Sequence, residues 1–421
     1  MSVLVNCCGP PCVTAVKQSF SKDSAQDDMN IVGTTDSISS SSLYDGDFLD
    51  DDSDDDGILA DSTNKSKNSN PSRPSPTPFS YTKKVIVFGA TGPVGRQLLE
   101  TLCQEYPTWR IVAATRDRQR KKKKRNFKQR KLHNVKKVKV DVTKLDSVLK
   151  ATKSCDIIFS CLGLHKHSRR YWARHWPVIL ENMLMATGST KRLVFCDDLL
   201  AYGADDEKDV SPNGSEPLRG SLRNKPEIRA LLRSMMKQYM TQYPGTLTVI
   251  GASDLFGPYV TDAVMMRSIV DPVVRYEAPL LVRPTVLHDF CYVPDLAFAL
   301  SVAAVRDRAY DKFWIAPHSI HKKSLQDVCN MVGAARDAES ASSALSLSSS
   351  VKVRVHGSFW WHMASWVSRS IAEVVAFWPF WAYNYTVDDA DFVQEFGVKA
   401  TPCDEALRAT VDFQKQLHKI L

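Results

Sequence analysis

The reading of this chain turns on Lys83–Gln104, KKVIVFGATGPVGRQLLETLCQ. Its first part, KKVIVFGA, is a short β-branched run of the kind that forms a strand. Val94, Leu98, Leu99 and Leu102 then fall at helical spacing. Between strand and helix lie Gly89, Gly92 and Gly95, spaced G-x-x-G-x-x-G within the loop Gly89-Ala90-Thr91-Gly92-Pro93-Val94-Gly95. Each glycine has a physical use: Gly89 for a tight turn, Gly92 for close approach of backbone to a pyrophosphate, Gly95 for close packing of helix on strand. The helix start offers unbonded N–H groups and a partial positive charge to phosphates. Glycines alone would be a weak sign. Here they follow a strand and open a helix, the context of a dinucleotide-binding loop.

Downstream the same alternation continues. RIVAATR, VKKVKVDVT, CDIIFSCLG, KRLVFCDD and LTVIGASD are short apolar runs, with helical character in DSVLKAT and ALLRSMMKQYM. Strands alternating with helices imply an α/β fold, a Rossmann-type doubly wound parallel sheet covered on both faces. About 20 residues past the glycines, a NAD site usually places an acidic residue for the ribose hydroxyls. Arg116 stands there instead, followed by Asp117. A guanidinium suits a 2′-phosphate, so the expected cofactor is NADP, with NAD left open by Asp117.

The chain has 421 residues, 43% of them hydrophobic and 24% charged, ordinary for a soluble globular protein. Its net charge of +8 conceals an asymmetry: residues 1–80 carry 13 Asp, no Glu and 5 Lys/Arg, for −8, and the rest carries +16. The Ser/Asp-rich and Pro/Ser-rich composition of residues 1–80 reads as a disordered tail, with folded structure from about Tyr81. Asp50–Asp56 reads as part of that solvated tail, and Ala338–Ser350 as a flexible insertion in the body. From Arg116 to Lys139 there are 14 Lys/Arg against one Asp, and Phe127 is the lone aromatic. That run reads as an exposed loop whose field favours an anionic cofactor, with nucleic acid an unlikely partner. The ten cysteines form no framework and suit a reducing compartment. The CCGPPC cluster at Cys7–Cys12 lacks a second ligand pair, so no metal site is expected. No secretory signal is visible, and the expected location is cytoplasmic, organelle or nucleus remaining open. Phe359–Tyr385 holds five of the nine Trp, but His362, Arg369, Glu373 and Pro379 interrupt it, so no transmembrane segment is expected there. A lid, a membrane-resting surface, a subunit interface that would leave a homodimer open, and plain core packing all suit it.

Taken in order, several blocks resemble the short-chain dehydrogenase/reductase superfamily, in particular its extended, NAD-dependent epimerase/dehydratase branch and the atypical members near it. GATGPVG resembles the cofactor loop, Asp141-Val142-Thr143 the stretch with the adenine-contacting Asp, and Ser160-Cys161-Leu162-Gly163 the stretch beside the nicotinamide ribose. Val194–Gly203 is similar to the family's V-[YF]-x-S-S-x-x-V-Y-G, Ser253–Pro258 to R-x-x-x-x-[FY]-G-P, and His288–Ala297 to R-D-F-x-Y-V-x-D-[VL]-A. The resemblance runs from about Lys83 to Leu417. It implies a Rossmann body, a smaller substrate lobe built mainly from 259–283 and 319–421, and a small-molecule substrate. It also implies a Ser and a Y-x-x-x-K, and this chain departs from both. The Ser pair is Asp197-Asp198, and the best register for Y-x-x-x-K is Ser221-Leu222-Arg223-Asn224-Lys225, which keeps the Lys and loses the Tyr. Lys225 is then expected to hold the ribose, Asp198 to act as acid or base, and Tyr202 to be the next candidate. The resulting expectation is an NADP(H)-dependent reductase or epimerase with non-standard catalytic residues. The alternative is a non-catalytic NADP(H) sensor or scaffold.

Overall fold

The computed structural model describes residues 82–116, 132, 134–164, 168–203, 209–211, 214–338, 350–355 and 379–420. The expectations for the tail 1–80, for Asp117 and most of the basic run, for most of the insertion after Ala338 and for most of the Trp-rich stretch lie outside the described residues.

The strand–turn–helix at the start of the body forms as its pattern requires. β1 (Lys84–Phe88) leads through the glycine loop into α1 (Pro93–Glu105), with Pro93 at the first helical position, where its missing N–H costs nothing. β2 (Arg110–Thr115), β3 (Val135–Lys139), α2 (Leu145–Thr152), β4 (Ile157–Ser160), α3 (Arg169–Thr187), β5 (Arg192–Asp198), α4 (Lys225–Gln242) and β6 (Leu247–Ala252) follow. Then come β7 (Asp254–Phe256), α5 (Asp271–Val274), β8 (Leu280–Leu281), β9 (Leu287–Tyr292), α6 (Val293–Ala304), β10 (Lys312–Ile315), β11 (Ile320–Ser324) and α7 (Leu325–Asp337). β12 (Arg354–Val355), α8 (Pro379–Ala382), α9 (Ala390–Phe396) and α10 (Cys403–Ile420) complete the described chain.

Seven strands form one sheet in the order β10-β6-β5-β4-β1-β2-β3, every pairing parallel. Parity within β1 shows why both faces are covered. Val85 and Val87 point into a core shared with α1, α6 and α7, whereas Ile86 and Phe88 point into a second core with α3 and α4. All four are fully buried. At about 1.5–3 kcal/mol per buried side chain, a polar residue at any of them would open one core or the other.

The chain runs outward from β1 to β3 and returns to β4 beside β1. This reversal opens a crevice at the carboxyl ends of β1 and β4, where ligands of such sheets bind. A three-stranded sheet, β11-β9-β7, stands beside it, and the segment around Tyr385 joins β9 by a parallel bridge from His288 to Tyr385. β8 and β12 pair separately.

A charge clamp ties β9 and β11 to the segment that leads into α9. The His321 ring sits 3.4 Å from Asp289 through Nδ1 and 3.3 Å from Asp389 through Nε2. Hydrogen bonds to Asp289 and Asp389 push the His321 imidazole up to about 10. Burial works against Asp389, but hydrogen bonds from His318 and His321 hold its carboxyl well below the usual range. A base raised in the folded state stabilises fully below its unfolded value, near 6.5, and loses that contribution as pH climbs toward about 10. His321→Ala should therefore lower the melting temperature at pH 6. The gap from the unsubstituted protein should close by pH 10.5, and a gap that stays constant over that range would remove the clamp. The half-exposed ring keeps the effect modest.

Candidate active site

The glycine loop is built for close approach. Gly89 lies at φ 76°, and a Cβ there would come within 2.2 Å of the Cys161 carbonyl oxygen at the end of β4. A Cβ on Gly95 would meet the Gly89 carbonyl oxygen at 2.2 Å. Helix, turn and neighbouring strand thus press together through backbone alone. The Gly92 N–H donates to the Gly89 carbonyl at 3.0 Å, and Gly92 caps α1 with no side-chain hydrogen bond. The helix start carries no acidic side chain that would compete with a phosphate. Thr91 is exposed at the loop tip, Pro93 half-buried and Val94 buried beneath it.

The other expected contacts follow the carboxyl ends of β2, β3 and β4 on the same edge of the sheet. Phe88 pairs in register with Ala114, so Arg116, exposed directly after β2, stands beside the end of β1. Asp141 lies two residues past β3, and its carboxylate accepts the Thr143 N–H at 3.0 Å and hydroxyl at 2.6 Å. The Thr143 hydrogen bonds hold that carboxyl below its ordinary value. The Val142 carbonyl accepts from Asn182 at 2.9 Å. Cys161, Leu162 and Gly163 extend from β4. A Cβ at Gly163 would meet nothing within 4 Å, so protein packing does not require glycine there.

The end of β5 holds an ion-pair network. Asp197 is 6% exposed and Arg229 of α4 5%. Arg229 reaches Asp197 at 3.3 Å and Asp198 at 2.6 Å. Its guanidinium rests on Trp176 at 4.2 Å and Trp172 at 5.3 Å, both from α3. Burial pushes the Asp197 carboxyl up, and the Arg229 charge restrains it. Asp198 accepts the Leu200 N–H at 3.2 Å through Oδ1 and meets Arg229 through Oδ2, so both oxygens already act as acceptors.

Lys225 opens α4, buried, with Nζ 5.7 Å from the Trp172 ring. Ser221 is drawn into the start of the same helix. Its hydroxyl bonds the Glu227 carboxylate and accepts the Arg223 N–H at 3.1 Å. Glu227 in turn accepts from Asn224 Nδ2 at 2.8 Å and donates its N–H to Asn224 Oδ1 at 2.8 Å, a reciprocal cap. The position of the resemblance's tyrosine thus serves helix capping. Tyr202 lies just past β5 with its hydroxyl buried and, among the described residues, without a hydrogen-bond partner. Burial pushes that phenol up to about 12, and Arg233, 4.8 Å from its ring, opposes the shift.

Several residues beside the Asp pair escaped the sequence reading. Arg229 and Arg233 continue Lys225 at four-residue spacing along α4, a signal that was visible but silent about partners. Tyr385, 4% exposed, approaches from the far end of the chain, and Asp254 pairs with fully buried His288 at 2.9 Å. Asp254 and His288 lie inside the family-like blocks Ser253–Pro258 and His288–Ala297, but nothing in those blocks signalled that the two would pair. Among the described residues no group of three or more His, Cys, Asp or Glu could hold a metal ion, and no helix is long and apolar enough to cross a membrane.

A parallel sheet of this order with a glycine-rich turn at its reversal point defines a Rossmann-type α/β fold. The chain belongs to the NAD dependent epimerase/dehydratase family, whose profile matches residues 85–316, more than half of its length. No curated protein sequence matches it. Among solved structures it is similar to dTDP-glucose 4,6-dehydratase from Bacillus anthracis in complex with NAD, at 13% identity and a TM-score of 0.58, covering 80% of this chain and 98% of that one. It is also similar to UDP-glucuronic acid 4-epimerase from Bacillus cereus in complex with NAD, at 13% identity and a TM-score of 0.57, covering 80% and 99%. A third similar structure is the terminal R domain from the myxalamid PKS-NRPS biosynthetic pathway, at 14% identity and a TM-score of 0.60, covering 80% and 91%. At such identities the likeness is one of fold.

Proposed function

We propose that the chain binds a nicotinamide dinucleotide across the carboxyl ends of β1, β2 and β4, prefers NADP(H) to NAD(H), and is a reductase or epimerase of a small organic molecule. The observation that carries this reading is the glycine cradle: Gly89 and Gly95 sit where any Cβ would collide with backbone, under a helix start that no side chain caps. The cradle fits a pyrophosphate held by the backbone N–H groups of Val94 and Gly95, since Pro93 has none and that of Gly92 donates to Gly89. In this reading Arg116 meets a 2′-phosphate, and Asp141 and Val142 border the adenine. Cys161, Leu162 and Gly163 run beside the nicotinamide ribose, whose hydroxyls Lys225 holds. Such a cofactor supplies or accepts a hydride. The NAD complexes of the dehydratase and the epimerase support the cofactor class.

Titration with NADPH and NADH tests the reading. NADPH should bind more tightly, and Arg116→Ala should weaken it about tenfold or more while sparing NADH, since a charge-assisted contact contributes roughly 1.5–3 kcal/mol. Lys225→Ala should weaken both cofactors by a comparable factor. Equal affinity of the unsubstituted protein for the two would end the NADP preference, and binding of neither would end the reading.

A second reading is favoured by the Asp198–Arg229 pair and by the capping role of Ser221. Both occupy the positions from which the family's proton chemistry would be expected. The chain would then be a sensor or scaffold that binds NADP(H) without turnover. Tight NADPH binding with no consumption across a panel of small aldehydes and ketones would select it.

A further inference from the structure

We propose that Lys139, the last residue of β3, is a second cation for the ribose 2′-phosphate and sets the preference for NADP(H) together with Arg116. The proposal rests on the cofactor reading above. It adds a contact that comes from the neighbouring strand rather than from the chain after β2.

Register places Lys139 at that point. Thr115, the last residue of β2, pairs with Lys139, and the Val140 N–H donates to the Thr115 carbonyl at 2.9 Å. Adjacent strands lie about 4.8 Å apart, so Lys139 stands one strand across from the residue before Arg116. Facing agrees with register. Side chains alternate along a strand. Val138 packs against the core that holds Ile86 and Phe88, whereas Val135 packs against the core shared with α1. Lys137 and Lys139 therefore lie on the α1 face, and the start of α1 carries the glycine cradle. Lys139 and Arg116 are both exposed, so an anion reaches them without opening either core.

The pair of cations suits a phosphomonoester. Such a group carries close to two negative charges near neutral pH and offers three acceptor oxygens. A guanidinium engages two of those oxygens as a fork, and a lysine ammonium adds a point charge with rotatable donors. One cation leaves part of the charge unmatched, and two balance it. The 2′-hydroxyl of NAD has no charge for Lys139 to meet. Two residues on, the Asp141 carboxylate is engaged by the Thr143 N–H and hydroxyl within the turn after β3.

Lysines on an edge strand also discourage the addition of a further strand. β3 is the edge of the seven-stranded sheet, and Lys136 and Lys137 serve that use as well as Lys139 does. Height along the strand sets Lys139 apart. Lys137 has the same charge and the same face but sits two residues, about 7 Å, further from the carboxyl edge.

The test is calorimetric binding of 2′,5′-ADP and 5′-AMP to the full chain, which needs neither nicotinamide nor substrate. The unsubstituted protein should bind 2′,5′-ADP about tenfold or more tightly than 5′-AMP. Lys139→Ala should weaken 2′,5′-ADP about fivefold and leave 5′-AMP within about twofold. Lys139→Gln, which keeps much of the stem, should match it. Lys137→Ala should change neither ligand by more than about twofold, because screening weakens a charge set that much deeper. Unchanged 2′,5′-ADP binding in Lys139→Ala overturns the proposal while the loss in Arg116→Ala leaves the NADP preference standing. An equal loss for 5′-AMP overturns it too, as does an equal loss in Lys137→Ala, which would reduce Lys139 to part of a diffuse field. Equal binding of the two nucleotides by the unsubstituted protein, or binding of neither, overturns the NADP preference and this proposal together.

Discussion

Replacing Gly89 with alanine should remove both the cofactor and a large share of the fold's stability. The new methyl would lie 2.2 Å from the Cys161 carbonyl oxygen and 2.6 Å from its carbon. Both are backbone atoms of an interior parallel strand end, and neither can step aside as a flexible side chain would. Overpacking of this kind costs about 1–3 kcal/mol. The left-handed backbone at φ 76° adds roughly 1–2 kcal/mol for a residue with a Cβ. A combined loss of about 2–5 kcal/mol is a sizeable part of the 5–15 kcal/mol typical of a native protein. To relieve the clash, the turn must lift away from β4, and the helix start moves with it. Losing two charge-assisted contacts to phosphate would weaken NADPH by about a hundredfold or more. Gly163→Ala is the matched control, because a Cβ there meets open space. Urea unfolding and cofactor titration of the two variants check the expectation. A Gly89→Ala protein with unchanged midpoint and affinity would contradict the packing of the loop on β4.

Arg229→Met should damage the fold to a comparable extent, through electrostatics rather than volume. The substitution keeps much of the apolar stem against Trp172 and Trp176 but strands Asp197, 6% exposed, with no counter-charge from Arg229. Breaking a buried ion pair by removing one partner typically costs about 3–5 kcal/mol. The deficit should also vary with pH in a defined direction. A carboxyl raised above its unfolded value binds more protons in the folded state, so stability falls as pH rises from the unfolded value through the folded one. Burial already raises Asp197, and loss of Arg229 removes the group that restrains it. Arg229→Met should therefore be less damaged at pH 5 than at pH 8. Adding Asp197→Asn should restore part of the loss at pH 8, because a neutral amide does not need the guanidinium. Chemical denaturation of both variants at the two pH values decides the matter. A deficit that does not change between pH 5 and pH 8 would show that Asp197 is not the stranded charge.

The proposed function stands between these results. If Arg229→Met folds well enough to be assayed, freeing Asp198 offers a direct view of the ion pair's part in any turnover. A rise in NADPH consumption would mark the pair as a brake on Asp198, while no rise would fit a donor elsewhere.

What the sequence by itself determined was everything that depends on local period and backbone freedom. The β-branched run, the helical spacing after it and the three glycines between them were enough for the strand–turn–helix, and the repeated alternation was enough for the parallel sheet. These features are legible because each is satisfied within a few residues: a strand needs a pleat-compatible run, a helix a periodic face, a tight turn a residue without a Cβ. The register at Lys225 and the Asp197-Asp198 pair could be placed by counting along the chain. The tertiary structure alone decided what those side chains meet. Arg229 could be seen four residues after Lys225, but its choice of both carboxylates depends on α4 packing across β5, with Trp172 and Trp176 of α3 beneath it. Ser221, which stands where the resemblance would put the Tyr, bonds Glu227 six residues on, in a helix whose start had first to be fixed. Tyr385 meets the Asp254–His288 pair only because the segment before α9 adds a rung to β9. Contacts of that kind join residues far apart in sequence and leave no periodic trace, so the chemistry at the end of the sheet emerges only when the chain has folded.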